Sequence, residues 1–258
     1  MEKIYQQVID FVVDSGKRLV KKAGNVKDIG ITKKYLTEED LRIERGLNKI
    51  ITKFDKSHKL FAEEEHFNFE EAENIWVVDP ISMTRAFVKG LPHYAIVAAY
   101  TQNKKVKFSV VYDPSINDLY YAFDGGGFFH NGQKIEPSEN KPRRNSKIIF
   151  NLSVAWLENE ETRKNLFKEL TQFDLYRNLN SFGLNYCYVA CGHYDGFVAL
   201  TKDNFPEIAG SLMIKEVGGH FVNLGKLNLL QPEKLIFYGG NKQAFEKLSE
   251  IFSKIDYL

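Results

Sequence analysis

Ile75-Trp76-Val77-Val78-Asp79-Pro80-Ile81-Ser82-Met83-Thr84-Arg85-Ala86-Phe87-Val88-Lys89-Gly90 opens with four large apolar residues in a row. Such a run, closed by a turn former, reads as a buried strand. Asp79 ends it, and Pro80, which has no N–H, keeps the ladder from continuing. Ser82 and Thr84 are placed to cap a following turn or short helix whose first N–H groups point outward. A carboxylate at the end of a buried strand, facing a helix N-terminus, can hold a metal ion beside a phosphate. Asp-Pro taken alone has an equally plain structural meaning, the end of a strand.

The chain around this stretch has 258 residues, 43% hydrophobic and 27% charged, with a net charge of +1. That length accommodates one large domain or two lobes with a shared core, in an ordinary globular composition. So small a net charge creates no general field toward nucleic acid or an anionic membrane. Lys21-Lys22, Lys33-Lys34 and Arg143-Arg144 are short, separated basic pairs that read as solvated surface. The first 18 residues interleave acidic and polar side chains with apolar ones, unlike a signal peptide. No apolar run approaches the ~20 residues of a membrane span, so a cytoplasmic location is expected. Cys187 and Cys191, four apart, share a helix face and form neither a Cys-x-x-Cys motif nor an ordinary staple. They read as small buried residues.

Periodicity supplies the remaining elements. Ile4, Val8, Phe11, Val12, Leu19 and Val20 recur at helical spacing, which predicts an amphipathic helix over 3–22. Thr37, with Asp40 three residues on, forms an acidic variant of the capping box for a second helix. Leu41, Leu47, Ile50, Ile51 and Phe54 are its apolar face. Three strands follow at 94–100, 106–112 and 119–123, separated by Asn103-Lys104 and by Pro114 to Asp118. Asp124-Gly125-Gly126-Gly127 lacks the strand-to-helix context of a phosphate loop and reads as chain geometry. The polar stretch Pro137 to Asn145 is the best internal boundary and divides the chain into lobes 1–145 and 146–258. Beyond it the pattern predicts strands at 148–152, 196–200, 221–224 and 235–238. Helices are predicted at 160–170, 182–191, 206–217 and 243–255, with Pro206 as the first residue of its helix. Alternating helix and strand argue a mixed α/β lobe packed on the first.

The run WVVDPISMTRAFVKGLPHYAIVAAY resembles the inositol monophosphatase family of magnesium-dependent phosphatases, whose core reads D-P-I-D-G-T followed by N-F-x-x-G-x-P. Asp79, Pro80, Ile81, Thr84, Phe87, Gly90 and Pro92 match it. Ser82 stands at the second aspartate and Met83 at the glycine. Leu36-Thr37-Glu38-Glu39-Asp40 is similar to the family's V-T-x-x-D, and VVYDPSINDLYYAFDGGGFFHNGQKI to its central meander. The resemblance covers nearly the whole chain and implies an α/β (α+β) fold, the layered αβαβα sandwich, with its site between the lobes.

Several roles are implied by the resemblance. Thr84 and Asp40 form a catalytic pair that orients the attacking water; Asp40 also has its capping role. Ser82, Met83 and Thr84 hold the phosphate. Glu63, within Ala62-Glu63-Glu64-Glu65, Asp79 and the carbonyl of Ile81 hold a first magnesium ion; a shift of one residue would select Glu64. An acidic triplet is by itself more often a charged loop. The second ion needs Asp79, an aspartate at Ser82 and another in W-D-x-A-x-G, which here reads Phe205-Pro206-Glu207-Ile208-Ala209-Gly210. Ser82 and Pro206 are therefore degenerate second-site positions. Glu207 lies one residue on, about 100° around a helix, so compensation by it or by Asp203 is not expected. Ala199 falls where relatives carry a glutamate that contacts a substrate hydroxyl.

These departures lead to an expectation of weak or absent phosphatase activity and at most one weakly held magnesium ion. The working role would be binding of a small phosphorylated ligand or a partner, in a homodimer. The alternative is an active magnesium-dependent phosphomonoesterase with a rearranged second site. A third reading, a scaffold in RNA machinery, has no dedicated sequence feature.

Overall fold

The computed structural model describes residues 1–31, 35–136, 147–152, 160–173, 175–177, 181–224, 229–231 and 235–254. The stretch Pro137 to Asn145, expected as the boundary, lies outside them.

Apolar stripes place the first two helices. α1 (Glu2–Lys22) buries Ile4, Val8, Val12 and Leu19, and α2 (Glu38–Phe54) buries Ile43, Leu47 and Ile51. Between them Glu39, nearly buried, takes hydrogen bonds from Arg18, Lys22 and Arg42. Burial works to raise its pKa, but those three cations outweigh it and hold the carboxyl at about 2.

Both helices lie on a seven-stranded sheet of β1 (Lys59–Ala62), β2 (Asn74–Ser82), β3 (Ala95–Gln102), β4 (Lys105–Asp113), β5 (Asp118–Phe123), β6 (Gly127–His130) and β7 (Gln133–Ile135). The strands neighbour one another in chain order; β1 and β2 are parallel and the other pairs antiparallel. The short helix α3 (Thr84–Val88) follows β2 directly. A second sheet contains β8 (Lys147–Leu152), β9 (Leu175–Arg177), β10 (Gly196–Leu200), β11 (His220–Asn223) and β12 (Ile236–Gly240), in the order β11-β12-β10-β8-β9. Its helices are α4 (Glu160–Leu170), α5 (Phe182–Ala190), α6 (Phe205–Glu216) and α7 (Lys242–Lys254).

Side-chain alternation along the strands separates three cores. Trp76, Val78, Ile96 and Tyr100 face α1 and α2. Ile75, Val77, Val97 and Ala99 face inward, where they meet α5, α6 and the near face of the second sheet through Phe197 and Ala199. Val198, Leu200, Ile148 and Phe150 face α4 and α7. The layers are therefore αβαβα, with α5 and α6 between the sheets. None of the described helices is long and apolar enough to cross a membrane.

The central strand corrects one sequence reading. β2 does not stop at Asp79 but runs through Pro80 to Ser82, which pairs with Ala95; the register is irregular between Asp79 and Ser82. A bulge there accommodates the missing N–H of Pro80.

On the outer side of β2, Trp76 is fully buried and donates Nε1–H to His58 Nδ1 at 3.0 Å. The glycine turn after β5 also has a partner: Gly125 and Gly127 donate N–H to the two carboxylate oxygens of Glu216 at 2.9 and 2.8 Å. It holds an anion, but one from the chain itself.

Burial lowers the pKa of His58, with Asp55 opposing more weakly. The unfolded imidazole then takes a proton more readily than the native one, so acidification favours unfolding. Native stability, measured as the urea midpoint, falls as the pH drops below about 6.5, the value of a free histidine. That fall is smaller in His58→Gln.

Candidate active site

Asp40 is wholly buried at the third position of α2 and closes the capping box. Its Oδ2 accepts from the Thr37 N–H at 2.8 Å and from Thr37 Oγ1 at 2.5 Å. Its Oδ1 faces Thr84, whose hydroxyl lies 3.2 Å away and also 2.8 Å from the carbonyl oxygen of Ile81. A hydroxyl carries one proton, so these two acceptors share it. The capping role and the approach to Thr84 thus coexist in one carboxylate.

Neither Ser82 nor Thr84 caps α3. Its N-cap is Met83, in the left-handed conformation at φ 71° and ψ 48°, and no side chain caps the helix. A backbone suited to glycine has been kept although the residue is methionine. Ser82 is buried and accepts a hydrogen bond from Ser181 Oγ at 3.2 Å. Ser181 is the N-cap of α5, its oxygen accepting from the Leu184 N–H. The position of the family's second aspartate is therefore a neutral hydroxyl contact joining the two sheets' halves of the chain. Asp79 is buried one bulge earlier on β2. Alternation puts it on the inner face with Ile75 and Val77.

The acidic turn after β1 is held by Glu44, a fully buried residue of α2. Its carboxylate accepts from the N–H groups of Glu64, Glu65 and His66 at 3.0, 2.8 and 3.0 Å, and one oxygen lies 2.7 Å from His66 Nδ1. Sequence reasoning passed over Glu44. The signal was its position on the apolar stripe, three residues before Leu47 and four after Asp40. The clamp sets the path of the turn, and Glu63 Oε1 meets Lys202 Nζ at 3.0 Å across the junction. Lys202 Nζ is also 3.6 Å from Asp203 Oδ2.

Pro206 lies buried in the first turn of α6, after Phe205 and not at the first position. Glu207 turns into the core, with no exposure, and accepts from the Tyr186 hydroxyl at 2.7 Å. Burial, reinforced by Asp203, pushes its pKa well above the usual carboxylate value. Gly210 shows which part of this motif is structural: a Cβ there would stand 2.3 Å from the Tyr186 ring, so only glycine lets α5 and α6 approach this closely. On β10, Ala199 is the register partner of Asn151 on β8. Asn151 Oδ1 and both side-chain polar atoms of Asn185 are buried with no hydrogen-bond partner among the described residues. Orphaned buried amides are groups that a polar ligand or a water satisfies.

Magnesium needs a near-octahedral set of oxygens, and a pair of ions needs several carboxylates. Among the described residues, no three His, Cys, Asp or Glu side chains gather where they could hold a metal ion. The residues present do not fit a two-ion centre: Glu207 is wholly buried and hydrogen-bonded by Tyr186, residues 82 and 206 carry no charge, and Glu63 is paired with an ammonium.

The fold and these positions define a chain of the phosphatase type. The inositol monophosphatase family model matches residues 2–257, and the chain belongs to that family. A fructose-1,6-bisphosphatase/inositol-1-monophosphatase of Thermotoga maritima is 33% identical over 243 residues, covering 92% of this chain and 88% of that protein. The Nus factor SuhB of Pseudomonas aeruginosa is 28% identical over 231 residues, covering 87% and 83% of the two chains. Among solved structures, a Thermotoga maritima IMPase superposes with a TM-score of 0.79 at 28% identity, covering 98% of this chain and 99% of that one. A staphylococcal IMPase-I complexed with products gives 0.83 at 24% identity, covering 97% and 95%, and supports the fold.

The left-handed Met83 yields a test in which side-chain loss cancels. Met83→Ala and Met83→Gly both remove the thioether, but only glycine is at ease at φ 71°. Met83→Gly is therefore the more stable of the two by about 1 kcal/mol in urea unfolding.

Proposed function

We propose that this member of the inositol monophosphatase family has a degenerate magnesium site, with weak or absent phosphomonoesterase activity, and works by binding a small phosphorylated ligand. The observation that carries the reading is the exchange of two ligand positions for Ser82 and Pro206. Two divalent ions about 4 Å apart repel by about 4 kcal/mol even in bulk water, and by more at a partly buried site. Carboxylates must cancel that repulsion, and Asp79 is the one remaining of three at the second position. Any single ion would be held weakly, by Glu63, Asp79 and the Ile81 carbonyl.

Thr84, Asp40 and the residue 82–84 turn remain as a phosphate seat without the charge that drives hydrolysis. Met83 narrows that seat relative to glycine, because its Cβ stands where N–H groups would approach the phosphate. Asn151 beside Ala199 offers a neutral amide where relatives place a carboxylate, which favours a ligand with a hydroxyl donor. A staphylococcal relative solved with its products and relatives named Nus factor fit, respectively, the ligand-binding role and a role as a factor. The reading includes a homodimer, as the resemblance implies.

Phosphate release from inositol, sugar and nucleotide monophosphates in saturating magnesium tests the proposal. Turnover is expected at least about 100-fold below 1 s⁻¹, since each lost element of transition-state charge stabilisation costs about 3 kcal/mol. Ordinary turnover near about 1 s⁻¹ overturns it. Restoring Ser82→Asp, Met83→Gly and Pro206→Asp together raises activity; no gain would mean that the seat has drifted beyond its metal ligands.

A further inference from the structure

The Lys202–Glu63 pair joins residues 139 positions apart in the chain. It sits where the family resemblance seats its first cation, and both ends are anchored. On one side, Glu44 gathers three consecutive N–H groups of the turn that follows Glu63. On the other, the link from β10 into α6 is fixed at each end of Lys202. Thr201 donates its N–H to the Leu235 carbonyl at 2.9 Å, and its hydroxyl to the Asp203 carbonyl. Asn204 donates to the carbonyls of Leu229 and Leu230.

Exposed ion pairs are usually weak because two long side chains must be immobilised. This pair differs at the acid. The Glu63 side chain is 15% exposed and the Asp203 side chain 26%, so the ammonium meets two carboxylates that are largely withdrawn from water. Lys202 itself is 60% exposed and keeps its head at the surface of the junction. A divalent ion arriving at Glu63 must displace this ammonium. An anion arriving from solvent meets it first.

Resting on the proposed function, we propose that Lys202 is the resident cation of the site. Its ammonium takes the place of the divalent ion at Glu63, keeps metal ions out, and presents the positive charge that a phosphate-type anion needs. Phosphate binding by this chain is therefore independent of metal. Lysine is suited to this as a compact point charge on a flexible stem.

The test uses the full chain as wild type, Lys202→Met and Lys202→Arg, titrated calorimetrically with manganese chloride and, separately, with inorganic phosphate in EDTA. Thermal melting confirms that each variant is folded. In Lys202→Met, manganese affinity rises and phosphate affinity falls, each by about fivefold, the scale set by one part-buried ion pair. Lys202→Arg, which keeps the charge, stays within about twofold of wild type in both. Failure of the wild type to bind phosphate in EDTA overturns the inference, as does Lys202→Met unchanged in either titration. The phosphatase assay separates this claim from the proposed function. An active wild type whose Lys202→Met variant still shows both shifts sinks only the loss of activity. An inactive wild type with no shifts sinks only the role of Lys202.

Discussion

The carboxylate of Asp40 determines where α2 begins and how the chain turns after β2. One oxygen closes the first turn of the helix through Thr37, and the other reaches Thr84 at the head of α3. A buried carboxylate is tolerable only when its lone pairs are occupied, so these contacts are a condition of folding as well as a feature of the site. Selection for a stable helix start preserves them whether or not a water is activated beside them.

The rest of the junction follows from the accounting of charge around that fixed frame. Where relatives place acids, this chain has a serine bonded to a serine, a proline, and an alanine beside an amide. Glu207 is withdrawn into the core, hydrogen-bonded by the Tyr186 hydroxyl, and burial raises its pKa. Glu63 meets Lys202 Nζ at 3.0 Å across the junction. Gly210 belongs to the same motif as Glu207 and has a packing role, since only glycine there lets the two helices touch.

Much of this was legible from the residues. Period and punctuation placed the predicted helices, and the predicted strands other than β2, within a residue or two, because apolar stripes and alternation are imposed by the cores they fill, whereas the short strands β7 and β9 were not predicted. The double role of Asp40 was visible in Thr37-Glu38-Glu39-Asp40, where the box spacing and the family pattern coincide. Besides the Glu44 clamp, three features were not read. β2 continues through Pro80, since a bulge at the proline lets Ser82 rejoin the ladder, and local rules cannot see a partner strand. The cap of α3 is a methionine in a glycine conformation, which propensity argues against and tertiary context enforces. Lys202 is an ordinary surface lysine in sequence, and its meeting with Glu63 exists only once the sheets are stacked.

α6 carries a further consequence of how its far end is tied. Its first turn borders the junction through Pro206, and its last residue, Glu216, is gripped by the amides of the β5–β6 hairpin. A helix of 12 residues is a stiff rod about 18 Å long, so tilt introduced at one tip is delivered to the other. The same helix thus touches the junction at one end and, through a single carboxylate, fixes the path of a surface hairpin at the other.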